Sequence, residues 1–127
     1  MAQKHYDLTR AVIGCAFEVS NELGAGFLES VYESAMLVAL KETGISAESQ
    51  RSIEVTFRGQ TVGTFYADLL VEDKVIVELK AAKAIAPEHQ AQVINYLNAT
   101  GIEVGLLLNF GNPKLEYKRF NRSPRKN

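Results

Sequence analysis

Apolar residues recur at Leu8, Val12, Cys15, Val19 and Leu23, three or four apart, and the pattern stops at Gly24-Ala25-Gly26. That spacing aligns them on one face of a helix, and glycine suits the backbone of a helix end. A second helix is expected from about Leu28 to Thr43, burying some of Val31, Ala35, Val38 and Leu40 and terminated by Gly44. The period then drops to two. Ile53, Val55 and Phe57 alternate with polar residues, Arg58-Gly59-Gln60 reads as a turn, and Thr64 to Val71 is apolar and β-prone. Glu72-Asp73-Lys74 is a second turn, after which Val75 to Lys80 resumes the β pattern. Pro87 suits the first turn of a helix that runs to about Ala99, with Gly101 as its stop. Ile102 to Phe110 reads as a strongly apolar, central strand, and Leu115 to Phe120 as a polar-edged last one. The order α-α-β-β-β-α-β-β describes an α+β or α/β layer domain whose mixed central β-sheet is flanked by helices.

The hairpin around Glu72-Asp73-Lys74 carries the candidate chemistry. With Val71 facing Val75, counting outward places Asp68 opposite Glu78, with Lys80 two residues on. Strict alternation then gathers Phe65, Ala67, Leu69, Val71, Val75, Val77 and Leu79 on one apolar core face, and the acids share the other. Two carboxylates about 4 Å apart at an effective dielectric of about 20 repel by roughly 4 kcal/mol, so the pair needs an offsetting charge. A divalent cation or Lys80 would supply it. Oxygen ligands suit Mg²⁺ or Mn²⁺, whereas zinc draws on Cys and His, of which the chain has one and two. The plain alternative is a pair of solvated acids balanced loosely by Lys74 and Lys80.

At 127 residues and 46% hydrophobic content, residues 1–127 are expected to form one domain around a single core. The lone Cys15 lies among Val12, Ala16 and Val19 and reads as a core residue. Neither a long apolar run nor a basic-then-apolar start is present, so the expected location is the cytoplasm. A net charge of −1 gives the protein as a whole no pull on nucleic acid. Lys114, Lys118, Arg119, Arg122, Arg125 and Lys126 concentrate positive charge near the end. Residues from about 121 to 127 are expected to be a basic, solvated and partly disordered tail, in preference to a phosphate-holding arm.

Two further groups stand out. Gly26, Glu29 and Tyr32 open the second helix as GxxExxY, where an acid also suits the helix dipole. His89, Gln92 and Tyr96 share one face of the helix after Pro87, while Val93, Ile94 and Leu97 can face the sheet. For Tyr32 and Tyr96 the ordinary role is partial core burial, and for His89 a bond to the backbone of its own helix start.

In this order, with Asp68, Glu78-Leu79-Lys80 and Val104-Gly105-Leu106-Leu107-Leu108-Asn109-Phe110, these residues resemble the GxxExxY family of the PD-(D/E)XK nuclease-like superfamily. The resemblance runs from about Leu8 to Phe120. Ala67 stands where the superfamily's proline precedes the acid, a position that contributes no ligand. The resemblance implies a restriction-endonuclease-like core. It also implies that Glu29, Asp68 and Glu78, with the Leu79 carbonyl, hold Mg²⁺ or Mn²⁺, and that Lys80 orients or activates water. His89, Gln92, Tyr96 and Tyr32 would bind substrate. The expected activity is metal-dependent hydrolysis of nucleic-acid phosphodiester bonds, with DNA favoured over RNA. A homodimer or a partner protein could extend the substrate-holding surface. The alternative is a nuclease-like module that binds nucleic acid or protein and cuts nothing.

Overall fold

The structure is a computed structural model and describes residues 4–122. Helices α1 (Tyr6–Leu23) and α2 (Glu29–Glu42) precede strands β1 (Ala47–Phe57), β2 (Gln60–Val71) and β3 (Val75–Lys80). Helix α3 (Pro87–Thr100) then leads to β4 (Val104–Asn109) and β5 (Glu116–Asn121). The five strands form one sheet in sequence order, parallel between β3 and β4 and antiparallel elsewhere. This is the expected element order and a mixed α+β sheet. β3 takes the middle place, and β4, expected at the centre, lies beside it and is buried at every position.

Helices α1 and α2 cover one face of the sheet, where Val12, Met36 and Leu40 pack on Val71, Val77 and Leu106. Helix α3 covers the other, where Val93, Tyr96 and Leu97 meet Ile53, Ile76 and Leu107. Three layers thus enclose two apolar clusters, and a strand such as β3 serves both by alternation. Both turns of the β meander use left-handed backbone: Arg58 and Gly59 in the first, Glu72 and Asp73 in the second.

Three expectations about facing residues hold only in part. Helix α2 buries Tyr32, Met36 and Leu40, while Val31 and Val38 are 37% and 60% exposed. The rotation follows from Tyr32, whose ring stacks on Phe110 at 4.6 Å and whose hydroxyl donates to the Gly24 carbonyl at 2.6 Å. Four-residue spacing then carries Met36 and Leu40 inward with it. In β2, Leu69 and Val71 join the α1–α2 cluster, but Phe65 and Ala67 pack on the α3 side. The alternation breaks at Asp68: the β1–β2 ladder pairs Ser49 with Leu69 and Arg51 with Ala67, and the Gln50–Asp68 step between them is missing. Gln50 has φ of 52°, which turns β1 over at the same point, so Ala47 and Ile53 also face opposite layers. In α3, Val93 and Leu97 are buried as expected, whereas Ile94 is 42% exposed.

Close packing of α3 on β4 relies on Gly105. A Cβ there would lie 2.6 Å from Cγ1 of Val93. Overpacking of this kind typically costs about 1–3 kcal/mol. Gly105→Ala should therefore lower the urea midpoint without changing the slope, and the loss should be smaller when measured in a Val93→Ala background.

Candidate active site

The β2–β3 ladder runs Val71 to Val75, Leu70 to Ile76 and Leu69 to Val77, as the turn dictates, and then stops. One step further the strands exchange side chain for backbone. The Asp68 amide donates to Glu78 Oε2 at 2.8 Å, and the Leu79 amide donates to Asp68 Oδ2 at 2.8 Å. Asp68 and Glu78 are therefore not a simple cross-strand pair. Each carboxylate reaches over and caps an amide that the interrupted ladder would leave without a partner. The resulting cavity of about 210 Å³ is lined by Glu29, Ser30, Glu33, Gln50, Asp68 and Leu79.

Glu78 is 2% exposed. Burial, followed by the neighbouring Asp68 carboxylate, pushes its carboxyl up to about 8; the bond from the Asp68 amide and the positive Lys80 pull the other way, and Glu29 adds a little to the rise. Glu33, one helical turn after Glu29, is also raised, chiefly by burial and further by Asp68, against the pull of its bond from Gln50. Tyr96 is raised by burial and then by Glu78, which keeps its phenol protonated.

The other expected site residues divide. Glu29 opens α2, is exposed, and lines the cavity beside Asp68 and the Leu79 backbone. Lys80, half-buried, ends β3 next to the acids. Gln92 donates to the Tyr96 hydroxyl at 2.8 Å, and Tyr96 is only 6% exposed, stacked on Phe65 at 4.2 Å. Its ring thus belongs to the core, while its hydroxyl bonds a side chain and lies within electrostatic reach of Glu78 and Asp68. Tyr32 is corrected from a substrate contact to a structural one. It is fully buried, and its hydroxyl bonds the Gly24 carbonyl and the Phe27 amide. His89 takes the plain role, its Nδ1 accepting from the Ala86 amide at 3.0 Å, so the neutral ring keeps its proton on Nε2.

Among the described residues, Lys118 and Arg119 do not form one arm. Lys118 bonds Gln90 on the α3 side, Arg119 bonds Thr9 Oγ1 and the Lys4 carbonyl on the α1 side, and Arg125 and Lys126 lie outside the described residues. The expected tail over 121–127 falls mostly there too, although Asn121 closes β5.

Sequence reasoning missed three contributors. Gln50 bonds both Glu33 and Asp68. Glu33 was discoverable, since it follows Glu29 by four residues. Asn109, fully buried, stands beside Lys80 in the parallel β3–β4 ladder and binds both the amide and the carbonyl of Ala82 at 3.0 Å. Its other bonds reach the Gly111 amide and Glu116, so every donor and acceptor of this amide is used to pin the chain that leaves Lys80.

A family model described as the PD-(D/E)XK nuclease superfamily matches residues 6–120. The chain belongs to the PD-(D/E)XK nuclease superfamily. The crystal structure of SSO0001 superposes with a TM-score of 0.58 at 18% identity, covering 76% of this chain and 52% of that one. An alkaline exonuclease from Laribacter hongkongensis gives 0.51 at 14% identity, covering 85% and 76%. At such identities the likeness is one of fold, and this chain spans about half the length of SSO0001. No curated protein matches the sequence.

PD-(D/E)XK nucleases generally use divalent metal ions. The donors suit a hard cation in part: Asp68 and Glu78 each commit one oxygen to a backbone amide, and the second oxygen of Asp68 accepts from Gln50 at 3.3 Å. Among the described residues no group of three or more His, Cys, Asp or Glu is placed to hold a metal ion, so Glu29 does not close on the pair. The acids are turned into the interstrand gap, whereas Glu29 stands across the cavity on α2.

The raised Glu78 carboxyl sets a pH dependence. Its value of about 8 exceeds the ordinary 4.5, so between those limits the folded protein binds the proton more tightly than the unfolded chain. Stability should fall as pH rises through that window, by up to about 1.4 kcal/mol per unit, and level off above it. The wild-type minus Glu78→Gln difference in urea stability, measured from pH 5 to 9, should show this decline. A flat difference would place Glu78 in a solvated setting.

Proposed function

We propose that this chain is a divalent-cation-dependent nuclease of the GxxExxY branch, using Mg²⁺ or Mn²⁺ to hydrolyse phosphodiester bonds, with DNA as substrate. The observation that carries the reading is the interrupted β2–β3 ladder, where Asp68 and a buried Glu78 meet beside Lys80. Opposed acids inside a sheet are costly to the fold, and a chemical role accounts for them.

In this reading Asp68, Glu78 and the Leu79 carbonyl would hold the cation, and Glu29 would complete the set from α2. The cation would lower the pKa of the attacking water and offset charge at the phosphorus. Lys80, held by the Asn109 clamp behind it, orients that water or the phosphate from the adjacent side. The Tyr96 hydroxyl accepts from Gln92 and keeps its own proton to donate to a phosphate oxygen. His89 has Nε2–H to offer at the start of the same helix. Contacts of this kind fix the backbone without reading bases, so sequence specificity would be low.

A second reading is a module that binds nucleic acid or protein without cutting. It draws on the crossed bonds themselves, which serve the backbone and could act as a structural clasp alone. Plasmid, single-stranded DNA and RNA should be incubated with Mg²⁺ or Mn²⁺ beside Lys80→Ala. Metal-dependent cleavage of DNA that falls by at least about a hundredfold in the variant is expected; binding without cleavage would support the module.

Asp68→Asn separates site from clasp. Its side-chain carbonyl can still accept from Leu79, and above about pH 8, where Glu78 is ionised, one of two repelling charges is gone, so without metal the melting temperature there should hold or rise. Millimolar Mg²⁺ should raise the melting temperature of the wild type and leave the variant nearly unmoved. Equal shifts in both would refute a cation site at Asp68.

A further inference from the structure

The step missing from the β1–β2 ladder is Gln50 opposite Asp68, and Gln50 holds a left-handed backbone in mid-strand. That conformation disfavours any residue bearing a Cβ, and glycine would occupy it without strain. Gln50 is exposed, so apolar burial does not explain it. Its side chain supplies the reason. Nε2 donates at 2.6 Å to Glu33 Oε1 and at 3.3 Å to Asp68 Oδ1, so its two hydrogens serve two carboxylates on two different elements. Asp68 Oδ2 is already bonded by the Leu79 amide. Both oxygens of Asp68 are thus restrained, from opposite sides, and the carboxylate is left one orientation at the wall of the cavity.

We infer that Gln50 is a positioning residue of this site: anchored on Glu33 of α2, its amide sets the orientation of the Asp68 carboxylate. Glu33 acts through Gln50 and is not itself a cation ligand. The inference rests on the nuclease reading for its chemical purpose, since phosphoryl chemistry is sensitive to displacements of about 1 Å in a supporting group. The positioning itself can be measured without activity.

Gln50→Gly decides between backbone and side chain, because it keeps the left-handed conformation and deletes the amide. The variant should melt at or above the wild-type temperature. Exchange of the Leu79 amide, read by NMR against other amides of β3, should nevertheless accelerate as Asp68 loosens. Mn²⁺ binding by calorimetry should weaken about ten- to a hundredfold, the usual effect of removing a group that orients a ligand. Turnover on DNA should fall with KM unchanged. Glu33→Gln keeps an acceptor for the Gln50 amide and should retain the wild-type Leu79 exchange, whereas Glu33→Ala should match Gln50→Gly and add nothing to it in the double variant. Wild-type Leu79 exchange in Gln50→Gly would overturn the inference, as would a loss of Mn²⁺ affinity in Glu33→Gln equal to that of Gln50→Gly. If the wild-type protein neither binds Mn²⁺ nor cuts, the nuclease reading fails, and Leu79 exchange alone still decides whether Gln50 positions Asp68.

Discussion

The crossed bonds between Asp68 and Glu78 and the amides of Leu79 and Asp68 are the constraint from which the rest of the structure follows. A β-ladder normally satisfies its amides strand to strand, and a gap in it leaves buried donors that cost about 1–3 kcal/mol each. Here the two acids fill that gap. Because each accepts from the partner strand, β2 and β3 stay joined where their ladder ends, and Asp68 and Leu79 line the cavity there. Charge-assisted bonds contribute more than neutral ones, which offsets part of the cost of desolvating Glu78. The remainder emerges as its raised carboxyl.

The surrounding elements hold that arrangement by unrelated means. Tyr32 fixes the rotation of α2 through its stack on Phe110 and its bonds to Gly24 and Phe27. Only with that rotation do Glu29 and Glu33 line the cavity. On the far side Asn109 clamps the chain beyond Lys80, so the strand that carries Glu78 and Lys80 is tied at its exit as well as along its ladder. A buried amide with every group satisfied adds rigidity without leaving an unmet donor. The site therefore stands on regular elements, with a left-handed backbone at Gln50.

Much of this was legible in the sequence because it rests on periodicity. Helical spacing and glycine stops located α1, α2 and α3, and the Glu72-Asp73-Lys74 turn correctly set the register as far as Leu69 and Val77. Simple alternation failed at Asp68, since a side chain that bonds backbone competes with the ladder and changes which face follows. Gln50 carries no sequence signature of a left-handed residue; only glycine, asparagine or aspartate would have suggested it. Tyr32 looked the same as a substrate contact or a core residue, because a tyrosine offers both an apolar ring and a polar tip. The basic residues of β5 divide for another reason. Adjacent positions on a strand point to opposite faces, so the neighbours Lys118 and Arg119 bond to different layers and cannot act as one patch.

That dispersal of positive charge, with a net charge of −1, leaves little electrostatic capture of a polyanion by the domain as a whole. The burden of attraction in the proposed enzyme falls on the site, and Glu78 governs it. A carboxyl held at about 8 carries its proton through most of the neutral range, which removes one negative charge from the acids beside the cavity. Cation binding needs the ionised form, so entry of a cation expels that proton and the two equilibria are linked. Below about pH 8 the protonated pair relieves the repulsion that would otherwise press on the interrupted ladder. The same burial that raises the Glu78 carboxyl would make it a strong ligand once the charge is matched, because an ion pair shielded from water is weakly screened. In the proposed enzyme one carboxyl would thus link stability to cation affinity, and any change that hydrates Glu78 should weaken the second while improving the first.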